Sequence, residues 1–457
     1  MTISLCILAA GKGQRMRSAT PKVLHQIAGK PLVSHVLDTT SAITATRPVV
    51  VFGHGGSQLQ QALASRPIDW VEQREQLGTG HAVAQALPLL PADHLVLILY
   101  GDVPLIRRAT LEQLLEASRT SGFSLLTAKV SNPVGYGRIV RDVAGQIARI
   151  VEQKDAAPDE LLISEINSGI MVVKGEYLHR WLPTLANNNA QGEYYLTDCV
   201  LRAVSEGIAV QGVTTNDEME IAGVNDRSQL AALERVHQRR LAQSLMAGGV
   251  TLMDPARVDV RGDLVSGTDT TIDVNVVFEG QVTLGCNVRI GPNCVISNAS
   301  LGDNVEVLAN SVIDGARIGA GARIGPFARI RPETELAEGV HVGNFVEVKK
   351  SRLGKHSKAN HLAYLGDADI GNNVNVGAGT ITCNYDGAFK HKTVIEDDVF
   401  IGSDTQLVAP VTIGRGVTIG AGTTVTENVE PDRLVISRVR QKTISGWKRP
   451  AKPKSDA

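Results

Sequence analysis

Glycine-rich turns followed by basic residues open the chain and point to phosphate chemistry. The segment from Leu8 to Met16 turns on Gly11 and Gly13, and Arg15 and Lys22 lie close to it. Glycines at such a turn let backbone N–H groups approach phosphate oxygens, and the two cations add charge. The segment matches neither the P-loop pattern GxxxxGKS/T nor the dinucleotide pattern GxGxxG. By itself it fits a structural turn as well as it fits a phosphate site.

Two further segments supply the other parts of a nucleotide site. Gln76 to Gly80 is a second glycine-rich loop, which could contact a nucleobase through its backbone. Tyr100-Gly101-Asp102 ends an apolar strand and places a carboxylate at the edge of a parallel sheet where ligands bind. A single Asp after a strand is more often a turn or cap residue. The three segments together, rather than any one of them, predict the site.

This joint pattern resembles the sugar-phosphate nucleotidyltransferase family over about residues 3–225. The segments Asn187 to Asp198 and Gly223 to Asn225 strengthen the resemblance. Within that family the match narrows to the bacterial bifunctional uridylyltransferases that make UDP-N-acetylglucosamine from UTP. One departure is Gln14, where the family usually has Thr in its GxGTRM motif. Because this loop acts largely through its backbone, the change is expected to tune activity rather than abolish it.

The resemblance implies a role for each site residue in the first half of the chain. Arg15 and Lys22 would neutralise phosphates, and Asp102 and Asn225 would hold Mg²⁺. The remaining nucleotide and sugar contacts are Leu8, Gly11 and Gly101, then Gln73, Gly78 and Thr79 at the uracil, and Tyr100, Gly137, Glu152 and Asn167 at the sugar. In this chemistry a sugar-1-phosphate oxygen attacks the α-phosphorus of UTP in line and expels pyrophosphate. No protein nucleophile is needed, since the metal ion and the cationic side chains screen and orient two anions.

A second group of polar residues lies in the second half, on neighbouring coils of a repeat or in a loop that interrupts it. If a coil has about 18 residues, Arg331 and Lys349 lie one coil apart, and His361 and Asn375 nearly so. A basic pair suits a phosphate, and His with Asn suits an amine and an acyl group. A single His in a solenoid is more often a surface or core residue, and the repeat alone is as consistent with a trimerising scaffold.

The segments around this group reduce that possibility. Asn344 to Lys350, His361 to Asp367 and Cys383 to Gly387 resemble the acetyltransferase half of the same bifunctional family over about residues 250–440. The resemblance implies acetyl transfer from acetyl-CoA to glucosamine-1-phosphate. It also implies a homotrimer with acetyl sites built from neighbouring chains.

The implied roles in this half centre on one histidine. An unperturbed histidine side chain titrates near neutral pH, so His361 is suited to take the amine proton, and the resemblance implies that Glu347 orients it. Backbone N–H groups of Asn384 and Tyr385 are candidates to stabilise the oxyanion. The sugar phosphate would contact Arg331, Lys349, Tyr364, Asn375 and Lys390, and the CoA site would be lined by Ala378, Asn384, Tyr385, Ser403, Ala421 and Arg438.

The elements that must position these residues differ between the two halves. The first half alternates apolar β-rich runs with helical stretches, which predicts a mostly parallel α/β sheet of Rossmann-like type. From Ile272 to Val425 an aliphatic residue recurs about every six positions, which predicts a parallel β-helix, left-handed in the hexapeptide-repeat family. This six-residue repeat is interrupted from about Thr382 to Thr393. Glycine-rich turns are expected to let the chain bend at the corners.

Length and spacing predict three segments. A uridylyltransferase domain covers residues 1–226, a linker helix 227–249, and the β-helix with a C-terminal tail 250–457. The 457 residues carry a net charge of −1 with both signs dispersed, which gives no case for a nucleic-acid surface. Five cysteines without CxxC pairs fit a reducing cytoplasm. The apolar run from Ile3 to Ala10 is too short for a transmembrane segment and reads as a strand.

Three alternatives remain open from the sequence. One is a single-activity nucleotidyltransferase with a structural β-helix, and another is the same architecture with different specificity, such as a thymidylyltransferase. The third is a catalytically silent regulatory subunit, which the joint presence of Arg15, Lys22, Asp102 and Asn225 disfavours.

Overall fold

A computed structural model describes residues 2–11 and 13–450. Lys12 of the glycine-rich turn lies outside the described residues, and so do Lys452 to Lys454 near the end of the C-terminal tail. The chain forms two compact units, Met1–Leu241 and Ala242–Ala457. Within the described residues no helix is long and apolar enough to cross a membrane.

The first unit is built on a twisted, mostly parallel sheet, as the sequence predicted. Its strands are β1 Ile3–Ala9, β2 Gln26–Ile27, β3 Lys30–Pro31, β4 Val49–Phe52, β5 Asp69–Glu72, β6 Leu95–Tyr100, β7 Phe123–Lys129, β8 Arg138–Arg141, β9 Ile147–Val151, β10 Glu165–Lys174 and β11 Gln211–Thr215. The main sheet has the order β11-β7-β10-β6-β1-β4-β5, and β8 and β9 extend it beside β10. Among the described residues of this sheet, only the pairings of β10 and of the β8–β9 hairpin are antiparallel, and β2 and β3 form a separate antiparallel pair.

Helices cover both faces of this sheet. The α-helices are α1 Leu32–Ser41, α2 Gly56–Ala62, α3 Thr79–Ala86, α4 Arg108–Ser121, α5 Gly175–Trp181, α6 Asp198–Ser205 and α7 Arg227–Ala247. Short 3-10 turns lie at Gln14–Met16, Lys22–Leu24, Leu87–Leu89, Glu160–Leu162, Leu182–Thr184, Glu218–Glu220 and Pro255–Arg257. Alternate residues of β1 enter different clusters, Leu5 and Ile7 in one and Cys6 and Leu8 in the other. A parallel sheet buried on both faces has this pattern of near-continuous apolar strands.

The second unit is a solenoid of short parallel strands in two sheets. One sheet has the strands Thr251–Leu252, Thr271–Ile272, Arg289–Ile290, Glu306–Val307, Arg323–Ile324, His341–Asn344, Lys358–His361, Asn375–Val376, Phe400–Ile401, Thr418–Ile419 and Leu434–Val435. The other has Val258–Ser266, Val276–Leu284, Val295–Ser297, Ser300–Leu301, Val312–Asp314, Ala316–Ile318, Arg329–Ile330, Thr334–Leu336, Glu347–Lys349, Arg352–Leu353, Tyr364–Gly366, Ala368–Ile370, Ile381–Cys383, Thr393–Ile395, Gln406–Val408, Val411–Ile413 and Thr424–Val425.

The six-residue repeat is confirmed as the basis of this core. Its aliphatic positions are buried, among them Ile272, Ile290, Ile324, Ile401 and Ile419. Each pairs in parallel with the equivalent position of the next coil. Side chains bonded across adjacent coils are 17 or 18 residues apart. Each coil therefore buries its apolar corner against its neighbours.

The glycine-based expectation for the corners is confirmed only in part, since Gly321, Gly339 and Gly422 have positive φ but other residue types share this role. Many left-handed corner positions hold Asn or Asp, such as Asn275, Asn293 and Asp398, which tolerate this conformation better than most side chains. The glycines that follow the aliphatic residues serve a different purpose. A Cβ at Gly285 would lie 2.4 Å from Asp303 Oδ1, and one at Gly414 would lie 2.6 Å from Pro431 N. Glycine is needed there because the next coil passes too close for a side chain.

The interruption near residue 384 is a loop that leaves the stack and returns to it. Asn373 and Asp398 occupy equivalent corners, yet they are 25 residues apart. Inside the loop, Tyr385 and Lys390 form an antiparallel bridge, and His391 Nε2 lies 2.6 Å from Asp386 Oδ2. The extra residues protrude without disturbing the coils on either side, since Ile370 still pairs with Ile395.

Candidate active sites

The first site is a cavity of 570 Å³ at the carboxyl ends of the sheet strands. The turn after β1, the loop after β5 and the end of β6 meet there because β6, β1, β4 and β5 are neighbours in the sheet. Among the residues predicted from the sequence, those lining the cavity are Leu8, Gly11, Arg15, Lys22, Gln73, Gly78, Thr79, Tyr100, Asp102 and Asn225. Gly101 does not line it; this residue is buried, and its N–H donates to the Leu8 carbonyl.

The Lys22 ammonium lies between two side-chain oxygen atoms in this cavity, and both accept hydrogen bonds from it. Lys22 Nζ donates to Asp102 Oδ2 and, at 3.1 Å, to Asn225 Oδ1. A carboxylate oxygen and an amide oxygen therefore converge on one positive charge. Mg²⁺ is commonly bound by one or two such protein oxygens together with water and substrate phosphates. Among the described residues no group of three or more His, Cys, Asp or Glu could hold a metal ion. The donor set thus fits a metal ion shared with a phosphate ligand.

The glycine-rich loop after β5 is held rigidly at the side of the cavity. The buried Gln73 side chain donates to the Gly78 carbonyl at 3.1 Å. Gly78 has a φ of 110°, and a Cβ there would lie 2.6 Å from the Tyr194 carbonyl oxygen. Only glycine fits this position. Gln76, which the sequence analysis did not single out as a contact, lines the cavity and donates to the Ala10 carbonyl at 2.7 Å.

The residues predicted to contact the sugar lie next to Tyr100. The Tyr100 ring packs on Gly169, where a Cβ would lie 2.5 Å from it. Burial raises the pKa of the Tyr100 hydroxyl above its usual range, and the carboxylates of Glu152 and Asp102 act in the same direction. Asn167 Oδ1 accepts a hydrogen bond from the Gly169 N–H at 2.9 Å. Tyr100 therefore connects this group to the cavity that Asp102 lines.

Glu152 is a partly desolvated carboxylate at this position. Burial raises its pKa above the ordinary 4.5, while the Thr197 hydroxyl, which donates to Glu152 Oε1 at 3.0 Å, opposes the shift. The carboxylates of Asp155, Asp198 and Glu193 raise the pKa further. Thr197 was not among the predicted residues.

This raised pKa has a consequence for stability. Because the folded protein binds the Glu152 proton more tightly than the unfolded chain, the contribution of Glu152 to stability is greatest below about pH 4.5. It declines as pH rises through the folded-state pKa. Glu152→Gln cannot ionise and should raise the melting temperature of the first unit at pH 8 but not at pH 4. The fluorescence of buried Trp181 reports this transition. An equal gain at both pH values would contradict the assignment.

The second site contains a cationic cluster on the solenoid, here called the Lys349 cluster, which consists of Arg331, Lys349 and Lys390. Arg331 and Lys349 lie one coil apart, since the Arg331 N–H donates to the Val348 carbonyl at 2.8 Å. Lys390 reaches back from the protruding loop to contact Lys349. The adjacent Lys390 ammonium, partial burial and the charge of Arg331 hold the pKa of Lys349 below its usual range. Such a cluster is suited to a dianionic phosphate, which would relieve the repulsion.

A row of predicted residues follows one corner of the solenoid over successive coils, beginning at His361, and is here called the His361 row. His361 pairs with Asn344 in the coil below it. In the coils above, the Ala378 carbonyl accepts from the Asp404 N–H, the Ser403 carbonyl from the Gly422 N–H, and the Ala421 carbonyl from Arg438 Nε, at 2.7–2.9 Å. The predicted residues His361, Ala378, Ser403, Ala421 and Arg438 therefore lie along one side of the stack.

The predicted orienting residue Glu347 does not contact His361 in this structure. His361 Nδ1 lies 2.8 Å from Asn344 Oδ1, whereas Glu347 Oε1 accepts from Arg331 Nη1 at 2.7 Å. The reason is register, because Glu347 belongs to the other sheet, where it pairs with Tyr364. An amide oxygen can only accept, so Nδ1 carries the proton and Nε2 keeps a lone pair. In the neutral ring, Asn344 thus favours the tautomer with its lone pair on Nε2.

Two other predicted contacts also differ from the expected geometry. Asn375 pairs with Lys358 rather than with His361. The Asn384 N–H donates to the Thr382 carbonyl at 2.9 Å, so of the two oxyanion candidates only the Tyr385 N–H is left. The Asn384 side chain is buried and donates to Asp367 Oδ2 at 2.6 Å. Within the described residues no hydrogen bond or ion pair joins the His361 row to the Lys349 cluster.

Both units of the chain are similar to known protein families. The model of the MobA-like NTP transferase domain matches residues 5–165, that of the GMPPB C-terminal domain residues 260–364, and that of the bacterial transferase hexapeptide residues 392–427. Three relatives carry the name "Bifunctional protein GlmU". That of Methylococcus capsulatus is 56% identical over 100% of this chain and 99% of its own length. Those of Burkholderia thailandensis and Azoarcus sp. are 58% and 57% identical over 99% and 98% of this chain and 100% of their own lengths.

Proposed function

Because the chain belongs to the bifunctional GlmU family, we infer that it catalyses two consecutive group transfers. It acetylates glucosamine-1-phosphate with acetyl-CoA, and it then joins the N-acetylglucosamine-1-phosphate to UMP from UTP. The products are UDP-N-acetylglucosamine and pyrophosphate, and the nucleotide sugar feeds peptidoglycan and lipopolysaccharide synthesis. The observation that supports this inference is sequence identity of 56–58% to the GlmU relatives over 98–100% of this chain. Such identity does not support a single-activity enzyme with a structural β-helix.

The nucleotidyltransferase unit, assigned to residues 1–226 with 227–249 as the linker, performs the uridylyl transfer. Arg15 and Lys22 line the cavity with positive charge and screen the approach of two anions. One oxygen of the sugar phosphate forms a bond to the α-phosphorus of UTP as the bond to the leaving pyrophosphate breaks. Asp102 and Asn225 would hold Mg²⁺, which supplies electrostatic stabilisation of the phosphoryl oxygens when it is bound. Once a metal takes those two oxygens, Lys22 is free to bind a phosphate.

The solenoid, assigned to residues 250–457, performs the acetyl transfer. His361 Nε2 accepts the proton of the amine, whose nitrogen forms a bond to the thioester carbonyl carbon. The Tyr385 N–H stabilises the oxyanion, and collapse of the intermediate expels the CoA thiolate, which takes up a proton. Asn344 keeps Nδ1 protonated throughout. Arg331, Lys349 and Lys390 bind the phosphate of the sugar.

A homotrimer supplies what one chain lacks at this site. The His361 row and the Lys349 cluster lie on different sheets of the solenoid. A neighbouring chain that brings its own His361 row against the Lys349 cluster would complete each acetyl site. A cytoplasmic setting follows from the substrates, which are metabolites of that compartment.

Product analysis tests the two activities together. Mass spectrometry after incubation with UTP, MgCl₂, acetyl-CoA and glucosamine-1-phosphate should detect UDP-N-acetylglucosamine, pyrophosphate and free CoA. Leaving out acetyl-CoA should stop the formation of the acetylated product. Competition between UTP and dTTP distinguishes a uridylyltransferase from a thymidylyltransferase. A product that lacks the acetyl group in the full mixture would contradict the proposal.

Thiol alkylation offers a separate check on the acetyl site. Cys383 is partly exposed at the end of the strand that precedes Asn384. Iodoacetamide at Cys383 should block acetyl transfer by bulk while uridylyl transfer continues. Burial raises the pKa of this thiol, so modification should be faster at higher pH. Cys286 is also exposed, so Cys383→Ala should be resistant and Cys286→Ala should remain sensitive. Full acetyl transfer by enzyme that is modified at Cys383 would contradict the prediction that bulk at this position blocks the acetyl site.

A further inference from the structure

One buried cation in the first unit has no charged partner. The Arg138 side chain is 1% exposed. Its guanidinium donates to the Tyr136 carbonyl and, at 2.8 Å, to Gln153 Oε1, and Nε has no hydrogen-bond partner. No carboxylate among the described residues forms an ion pair with it. Burying a charge without a counter-charge is unfavourable, because the ion loses its hydration and gains no opposite charge in return. Such an unfavourable feature at one position calls for a local explanation.

The position of Arg138 in the sheet suggests what it supports. Arg138 pairs with Val151 on β9 and with Ile166 on β10. Each of these three residues is next in sequence to a predicted sugar contact, which are Gly137, Glu152 and Asn167. The row that contains the buried guanidinium therefore adjoins all three contacts.

Hydrogen bonds around Arg138 fix the distances within that group. Gln153 Oε1 accepts from both Arg138 Nη2 and the Gly135 N–H, at 2.8 and 3.1 Å. The Gly137 carbonyl in turn accepts from the Asn167 N–H at 2.9 Å. The loop that leads into β8 is thus tied to the residue that follows Glu152.

The spacing that results leaves little tolerance at the sugar contacts. A Cβ on Gly137 would lie 3.3 Å from Glu152 Oε2 and 3.0 Å from Ile150 Cγ2. The Glu152 carboxylate already lies against the Gly137 backbone. A shift of the loop by a few tenths of an ångström would change the gap between them. Displacement of a positioned group by about 1 Å can lower reactivity by about 100-fold.

We propose that Arg138 is a positioning residue for the sugar phosphate of the uridylyl transfer. Its planar fork binds the Tyr136 carbonyl and the Gln153 side chain at the same time, and this sets the separation of Gly137 from Glu152. Arg138 itself touches no substrate, since it is almost fully buried. The inference rests on the proposed uridylyltransferase function of this unit.

The test is steady-state kinetics of the full-length protein with each substrate varied in turn. Arg138→Met should raise KM for N-acetylglucosamine-1-phosphate by roughly 10- to 100-fold and leave KM for UTP unchanged. Arg138→Lys should recover part of the loss, because lysine is a point charge that cannot bind two acceptors as a fork. Gln153→Ala should shift KM in the same direction as Arg138→Met. It also provides a second variant if Arg138→Met does not fold.

Controls separate this role from general stability. Arg119→Met removes an exposed arginine of α4 and should leave both KM values unchanged. Acetyl transfer by the same preparations should stay at the wild-type rate. Equal rises in the two KM values, or a lower melting temperature with unchanged KM values, would overturn the proposal. If the unmodified protein itself made no nucleotide sugar, the proposed function would fail instead.

Discussion

Asp102→Ala should lower kcat for uridylyl transfer by about 1000-fold or more and leave acetyl transfer at the wild-type rate. The reason is that the substitution removes the only carboxylate among the two oxygens that converge on Lys22. Without it, the site loses its anchor for a divalent cation, and the phosphates of two anionic substrates are left with fewer counter-charges. Loss of metal stabilisation in phosphoryl transfer costs several kcal/mol, and about 4 kcal/mol corresponds to such a factor.

The measurement is pyrophosphate release from UTP and N-acetylglucosamine-1-phosphate over a range of Mg²⁺ concentrations. Asp102→Asn keeps the shape but loses the charge, so it should need more Mg²⁺ to reach its own maximal rate. Asp93→Ala, at an exposed turn of the same unit, is the matched control and should behave as wild type. Unchanged uridylyl transfer by Asp102→Ala would remove Asp102 from the metal site.

His361→Ala gives the reverse outcome, with acetyl transfer reduced by roughly 100- to 10,000-fold and uridylyl transfer unaffected. The expected size is that of a general base in other enzymes. We propose His361 as the base because its Nδ1 lies against Asn344 Oδ1, which leaves the lone pair on Nε2 in the neutral ring.

A free-thiol assay of CoA release measures this reaction. His356→Asn is the matched control, since His356 is exposed on the neighbouring corner and Asn tolerates its φ of 59°. Asn344→Ala should also slow acetyl transfer, because the imidazole then loses its preferred tautomer. If Glu347→Gln slowed the reaction more than Asn344→Ala, the orienting role would return to Glu347. A fully active His361→Ala enzyme would exclude the proton transfer to His361.

The repeat and the parallel sheet could be predicted because both signals are local. The aliphatic residue at every sixth position marks the core of the solenoid directly, and the apolar strand predicted to end at Tyr100 is β6, Leu95–Tyr100. The carboxyl end of that strand then placed Asp102 on the ligand side. These inferences need no knowledge of which distant segments pair.

Register could not be predicted in the same way. A coil of 18 residues would place Gly343 beside His361, whereas the observed 17-residue step places Asn344 there. A change of one residue moves a side chain to a different neighbour, so a mean period cannot identify the partner. The group around Arg138 has the same limit, because β10 is antiparallel and the hairpin β8–β9 pairs segments whose spacing in sequence carries no fixed offset.

The stacking of coils has a consequence for how acetyl transfer fails under stress. In a solenoid each coil contacts only the ones beside it, so the last coil is held on one side. The strand Leu434–Val435 closes its sheet, and Arg438 lies shortly after it in the chain. Peeling of this end coil would remove Arg438 first and Ala421 next, while His361 stays inside the intact column. Such partial opening costs less than global unfolding. Affinity for the acetyl donor should therefore decline with rising denaturant before the bulk of the β-structure melts.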